Sequence, residues 1–476
     1  MASVTDSRWG ALLAWLGQHG MDLGELCVEP RERPGAGYGL FASKDCPPSR
    51  KLFTIPDSAL LNWKTLSAHY PSPKDLNATC LISLHLLLHR PQGAKESSDP
   101  LFGPYISILP RDFDSHPLAW LARSKLASEE TTEHYLLGAL PRDVGEALNA
   151  LWNRFVMDWK KVCQYVRHHP ASLTRASLPL ESENFTTSDQ LLLDFLWAWL
   201  NVNTRCIFHR LHASISNPDN FTLCPILDFA NHTPDLSMSM QPMPTSADIW
   251  GSPPRSRGGD DFTLMAPREI TTRAGEELYL TYGAHSNTTL LIEYGFINIF
   301  TPDLVAAGTF RGEVNVQDAM AALFDSGGRD RDTWLKSTLE DEGYWGDWTL
   351  HASPPPAHPS FRLITALRLH SLVASTSEPT MTWETLQPWR AVLLGETEIV
   401  SEENEGSWRK ALLRICETIR TDAEKQLASV CGSRLVEESK SKDWGPWMVE
   451  NIRLLWLERI YVSGAVIRSV ETGAQF

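Results

Sequence analysis

The chain has 476 residues, more than the roughly 250–300 at which a single hydrophobic core stops growing, so two or more domains are expected. Its 42% hydrophobic and 21% charged residues are those of an ordinary globular protein and exclude global disorder. A formal net charge of -15 repels phosphate backbones and anionic lipid alike, which argues against direct nucleic-acid or membrane partners.

Trp9, Leu12, Leu13 and Leu16 recur at helical spacing and Gly20 follows as a stop, which predicts an amphipathic helix over about 7–19. From Gly35 to Ala59, short β-like runs alternate with Gly and Pro turns, the pattern of strands joined by tight connections. Helical periodicity then dominates from about Leu76 to Arg210, in Leu81, Leu84, Leu87 and Leu88, in Ala147–Trp159 and in Leu191–Trp199; this block reads as an insertion. Its most apolar stretch, Leu191–Leu200, is interrupted by Asp194 and is half the roughly 20 residues needed to span a bilayer, so it reads as a buried helix.

Strand signals return at Leu223–Phe229, Phe262–Met265 and Leu278–Tyr282, the last placing Leu278, Leu280 and Tyr282 on one face. The early and late β regions are expected to share one sheet. Between them, Ser237–Asp261 is rich in Pro, Ser and Gly without periodicity and reads as a mobile loop outside the core. Beyond Phe300 the pattern is helical again, broken at His351–Pro359 and closing on an amphipathic helix through Ile452, Leu455, Trp456 and Ile460, which makes a second domain.

The eight cysteines are scattered, with no CxxC or CxC pair to chelate zinc, and fit a reduced compartment. Asn-x-Thr sequons at Asn77, Asn184, Asn220 and Asn287 read as chance matches, because no basic segment followed by an apolar run opens the chain.

Three motifs carry chemistry, and each has a plain alternative when taken singly. Gly35-Ala36-Gly37-Tyr38-Gly39 lets backbone approach a ligand closely, or is only a β-turn. As a nucleotide phosphate loop it fails, since it is not GxGxxG and no Gly-Lys-Ser/Thr follows. Leu227-Asp228-Phe229-Ala230-Asn231-His232 bunches three polar side chains after apolar ones, which must satisfy one another or hold something. His232 has no HxH or HxxxH partner, so no metal is expected there. Gly275-Glu276-Glu277-Leu278-Tyr279-Leu280-Thr281-Tyr282-Gly283, followed by Tyr294-Gly295-Phe296, is a Gly-initiated strand whose tyrosines are either packing or functional.

In this order, and with Leu196–Phe208, the motifs resemble the SET-domain methyltransferases, most closely the group containing the Rubisco large-subunit lysine methyltransferase. Pro104-Tyr105-Ile106 running to Leu109-Pro110, Trp197-Ala198 with Thr204-Arg205, and Val400–Glu405 extend the likeness, which is strong over 25–300 and weaker beyond. The resemblance implies an α+β protein: a SET β-fold over 1–300 with a helical insertion at about 76–195 and the loop at about 237–261, then an all-α substrate-binding-like domain over 301–476.

It further implies an S-adenosylmethionine-dependent enzyme that methylates a lysine of a protein substrate, monomeric and cytoplasmic or nuclear. Tyr282 is then the catalytic hydroxyl, with main-chain carbonyls near Arg205 and Asp228 completing a ring of acceptors. Ala36, Gly37, Tyr38, Arg205, Asn231, His232, Tyr282, Tyr294 and Phe296 line the cofactor, and Arg205, Ile207, Asp228, Tyr282 and Tyr294 face the substrate. Ala36 departs from an acidic residue of the plant enzyme. Two alternatives stay open: a non-catalytic SET-fold binding module, and a protein-histidine methyltransferase. In the histidine branch an Asn stands where this chain has Ile207, and an apolar side chain cannot orient an imidazole.

Overall fold

The computed structural model describes residues 4–33, 37–127, 131–176, 185, 188–245, 248, 259–325, 329–374, 383–432 and 434–476. They fall into two compact units, one of 1–134, 146–285 and 291–295, the other of 135–145, 286–290 and 296–476.

The first unit is built on short strands. β1 (Val28–Arg33) and β2 (Gly37–Ala42) form an antiparallel ladder from Val28 opposite Ala42 to Arg33 opposite Gly37. Two further strands, β3 (Lys51–Ile55) and β4 (Leu61–Asn62), follow, and Leu52, Phe53, Ile55 and Leu61 are buried in the core. The chain returns with β5 (Ile207–Phe208), β6 (Phe221–Leu223), β7 (Asn231–His232), β8 (Gln241–Pro242), β9 (Phe262–Met265) and β10 (Glu277–Leu280).

Early and late strands do pair, but as three small sheets rather than one: β1-β2-β10-β7, β3-β9-β8 and β4-β6-β5. Every pairing is antiparallel except that of β10 with β7.

Helices behave as periodicity predicts. The first runs Val4–Gln18 and buries Leu12, Trp15 and Leu16. In the inserted block, Ala78–Leu88 is capped by Asn77, whose Oδ1 accepts the Cys80 N–H at 2.8 Å, and it packs on Asp189–Arg205. That second helix starts with a Ser188 cap and is fully buried from Phe195 to Val202, while Asp194 lies on its wetter first turns and pairs with Arg90. Among the described residues no helix is long and apolar enough to cross a membrane.

Other expectations need correction as well. Leu223–Phe229 is not one strand: β6 ends at Leu223, Ile226 takes φ +70, and Leu227–Phe229 is a turn of 3-10 helix. Apolar residues fill the run because the turn itself is in the core, so hydropathy alone cannot tell it from a buried strand. Ser237–Asp261 likewise does not lie wholly outside the core. Met240 is buried, its N–H donates to Tyr279 O at 2.8 Å, and β8 pairs with β9. Residues 246, 247 and 249–258, on which the expected mobility rests, lie outside the described residues.

The second unit is helical around Glu402–Cys431 and Gly445–Glu471, which pack together; Trp408, Leu412 and Ile415 are buried on one and Met448, Ile452 and Leu455 on the other. The Val400–Glu405 motif proves to be a helix start. Ser401 caps Asn404 N–H at 3.1 Å, Asn404 Nδ2 reaches Arg368 O at 3.0 Å, and Glu405 pairs with Arg368 at 2.7 Å. The expected all-α character needs one amendment, a small sheet of Glu313–Asn315, Thr349–His351 and His358–Pro359. Strands of two or three residues are too short to show a period of two.

Candidate functional site

The parallel partners β7 and β10 place Asn231 opposite Tyr279 and His232 opposite Leu280, so the chain leaves both strands at the same end of the sheet. On the other side of β10, Leu278 opposes Leu40 in antiparallel register, which carries the Gly37–Tyr38 end of β2 to that same end. Three segments far apart in sequence therefore converge, for topological reasons, where β10 stops and Tyr282 begins.

Side chains join what the sheet brings near. Asn231 Nδ2 donates to Glu277 Oε1 at 2.7 Å and to Tyr38 O at 3.4 Å. Glu277 Oε2 accepts from Arg33 at 2.6 Å and from the Tyr279 hydroxyl at 2.7 Å, so one carboxylate ties β1, β7 and β10 together. A Cβ at Gly39 would stand 2.6 Å from Glu277 Oε1, so the carboxylate would have to move to admit one. Gly37 is glycine for its backbone, at φ +72, and a Cβ there would meet nothing within 4 Å.

Past the strand, the Tyr282 N–H donates to His232 Nδ1 at 3.1 Å, and the Tyr282 hydroxyl donates to Ala230 O at 2.8 Å. Its ring lies 5.1 Å from that of Tyr294, at 38°. Burial pushes the Tyr282 phenol up to about 12, and it holds the His232 imidazole down to about 4, assisted by His285. Both are neutral at pH 7, and His232 Nδ1 is free of a proton to accept the Tyr282 N–H.

Asp228 stands behind this pair. Burial lifts its carboxyl to about 7, against the pull of Arg205 and of the Tyr105 hydroxyl that donates to Asp228 Oδ2. The Arg205 guanidinium also donates to Asp228 O at 3.0 Å. Asp228 Oδ1 and Arg205 Nε are buried without a hydrogen-bond partner. The orphaned carboxylate oxygen fits a donor or a cation and the orphaned guanidinium N–H fits an acceptor, so each leaves polar capacity unused inside the fold.

Of the expected residues, the sheet and its hydrogen bonds bring together Tyr38, Asn231, His232 and Tyr282, with Gly37 at the same strand end and Tyr294 by ring contact. Arg205 and Asp228 form a linked pair, and Ile207 sits two residues on in β5, opposite Thr222. Ala36 lies outside the described residues, and Phe296 belongs to the second unit.

Sequence patterning gives Glu277 and Tyr105 no role. Both stood inside quoted motifs, but their partners lie 244 and 123 residues away, where no local pattern reaches. The Pro104–Pro110 and Trp197 segments, alike only by resemblance, are joined by the Trp197 indole donating to Pro110 O at 2.7 Å.

No family model matches the chain. It is 27% identical over 347 residues, 72% of its length and 70% of the relative's, to the ribosomal lysine N-methyltransferase set11 of Schizosaccharomyces pombe. It is 25% identical over 301 residues, 62% of its length and 58% of the relative's, to ribosomal lysine N-methyltransferase 2 of Saccharomyces cerevisiae. Among solved structures, the SET domain of LSMT bound to lysine and AdoHcy superposes with a TM-score of 0.59 at 17% identity, covering 99% of this chain and 92% of that one. At that identity the likeness establishes the fold.

Proposed function

We infer that this chain, a SET-domain protein of the Rubisco large-subunit methyltransferase-like group, transfers a methyl group from S-adenosylmethionine to a lysine side chain of a protein substrate. The observation that carries the reading is the convergence of Tyr38, Asn231, His232 and Tyr282 at one end of a single sheet.

S-adenosylmethionine supplies an electrophilic methyl group on a sulfonium. The chain must hold that group and a neutral amine in line, which is a matter of orientation and of acceptors placed where positive charge sits. We assign the donor to the Gly37–Tyr38 strand end, Asn231, His232 and Arg205, with Tyr294 bordering it. Tyr282 and the carbonyls near Arg205 and Asp228 furnish oxygen acceptors for the polarised methyl, each contact weak and their sum directional. Lysine titrates near 10.4, and an apolar, tyrosine-lined approach favours its neutral form, so no side chain is needed as a dedicated base.

Ile207, with Arg205, Asp228, Tyr282 and Tyr294, is assigned to the target side chain, and its apolar character favours an aliphatic amine over an imidazole. The helical region over 301–476 is assigned to docking the substrate protein, the SET domain occupying 1–300. Both relatives are named for ribosomal lysine, and a lysine of a ribosomal protein is the first substrate we would test. We assign the protein to the cytoplasm or nucleus, as a monomer without nucleic-acid or membrane partners.

The test is incubation of ribosomal proteins, and of a whole proteome, with isotope-labelled donor and either wild-type or Tyr282→Phe protein, read by mass spectrometry. Label on lysine with the wild type and its loss in the variant is the expected result. Equal labelling by the two proteins would overturn the role of Tyr282, and no labelling by either would favour a binding module.

A further inference from the structure

The helical block holds a second cluster of chemistry-bearing side chains, away from Tyr282. His85 and His89 stand four residues apart at the end of the helix Ala78–Leu88, a spacing that puts two imidazoles on one face. Asp99 reaches them from the segment leading into the helix Gly103–Ile106. All three are interior, at 1%, 4% and 6% exposure.

His85 Nε2 lies 3.0 Å from Asp99 Oδ2, His89 Nε2 lies 3.5 Å from Asp99 Oδ1, and the three ligand atoms sit within 4.8 Å of one another. Tetrahedral zinc, with bonds of about 2.0–2.2 Å, spaces its ligand atoms about 3.3 Å apart, so the widest pair would have to close by up to about 1.5 Å to hold an ion.

Two details separate this cluster from an ordinary hydrogen-bonded core. Asp99 Oδ1 is buried with no hydrogen-bond partner although it points at His89, while Oδ2 is fixed by the Phe102 N–H at 2.7 Å. Among the described residues the ion-pair partners of this carboxylate are the two imidazoles, so it has no permanent counter-charge. A dication supplies one. The Tyr70 hydroxyl, 2.9 Å from His85 Nδ1, holds the far nitrogen of the ring, as the outer partner of a ligating histidine does.

We propose that His85, His89 and Asp99 form a structural divalent-metal site that takes zinc, with solvent in the fourth position. Two imidazoles and a carboxylate suit zinc in both donor type and geometry. The ion cross-links the end of Ala78–Leu88 to the segment that carries Tyr105, and Tyr105 in turn holds Asp228. The role is one of support, reaching the proposed site through Tyr105 and Asp228.

The experiment is metal analysis of the purified full chain by plasma mass spectrometry, beside wild-type controls treated with chelator and titrated with Co²⁺ or Zn²⁺. About one zinc per chain is expected, together with a thermal midpoint that falls on chelation and recovers on zinc addition, and the visible absorption of tetrahedral Co²⁺. His89→Gln should abolish stoichiometric binding, and Tyr70→Phe should weaken zinc affinity by about 10-fold while leaving the ligands in place. Background metal with neither spectrum nor zinc-dependent stabilisation in the wild type overturns the proposal, whether or not the variants fold. So does zinc binding that survives His89→Gln unchanged.

Discussion

Tyr282 is held at both ends, its N–H on His232 and its hydroxyl on Ala230 O, so its oxygen is a fixed point rather than a rotor. Tyr282→Phe keeps the ring beside Tyr294 and removes only that point. The turnover rate is expected to fall on the order of 10²-fold or more while donor affinity, read by calorimetry, changes little, the pattern of an interaction used mainly in the transition state. A parallel loss of donor affinity would instead make the hydroxyl a binding group. At Gly39 an added methyl must displace the Glu277 carboxylate that holds Asn231. Gly39→Ala should lower stability by about 1–3 kcal/mol in urea unfolding and weaken donor binding with it. Residues of this kind were legible where the motif itself carries them, as with Tyr282 and Asn231. Glu277 was not, because a glutamate early in a strand looks like surface charge until Arg33 and Asn231 arrive from elsewhere.

At the scale of elements, His116 shows how a buried imidazole can start a helix. Its Nδ1 accepts the Leu118 N–H at 3.1 Å at the head of Pro117–Leu126, its Nε2 faces Glu293 O, and burial holds its pKa down to about 4. The unfolded chain, with an ordinary imidazole near 6.5, therefore takes up a proton first on acidification. This contribution is complete above about pH 6.5 and is lost as pH falls toward 4, by something on the order of 3 kcal/mol for a side chain only 2% exposed. His116→Asn, which keeps a capping oxygen but does not titrate there, should flatten the decline of the thermal midpoint between pH 6.5 and 4. An unchanged slope would place the acid sensitivity elsewhere. Long helices such as Asp189–Arg205 were readable from spacing because many residues repeat one message. Strands of two residues, such as Asn231–His232, carry too few residues for any period, and tertiary pairing alone defines them.

At the scale of the molecule, donor binding to the folded chain must raise its stability by mass action, about 2.7 kcal/mol at a hundredfold excess over Kd. The thermal midpoint should rise with S-adenosylmethionine in both the wild type and Tyr282→Phe, since that variant is expected to bind without turning over. No shift in either would remove the donor from the account. Order along the chain has one more effect. The end of the sheet to which we assign the donor brings Tyr38, Asn231 and Tyr282 together, and β2 stays without its inner neighbour until Glu277 has been made. During translation the glycine-rich hairpin must therefore wait, as an open edge, until the long stretch between Ala42 and Glu277 has been made. A nascent fragment released before residue 277 has no way to complete that edge, and chaperone dependence is where such a delay would register in a cell.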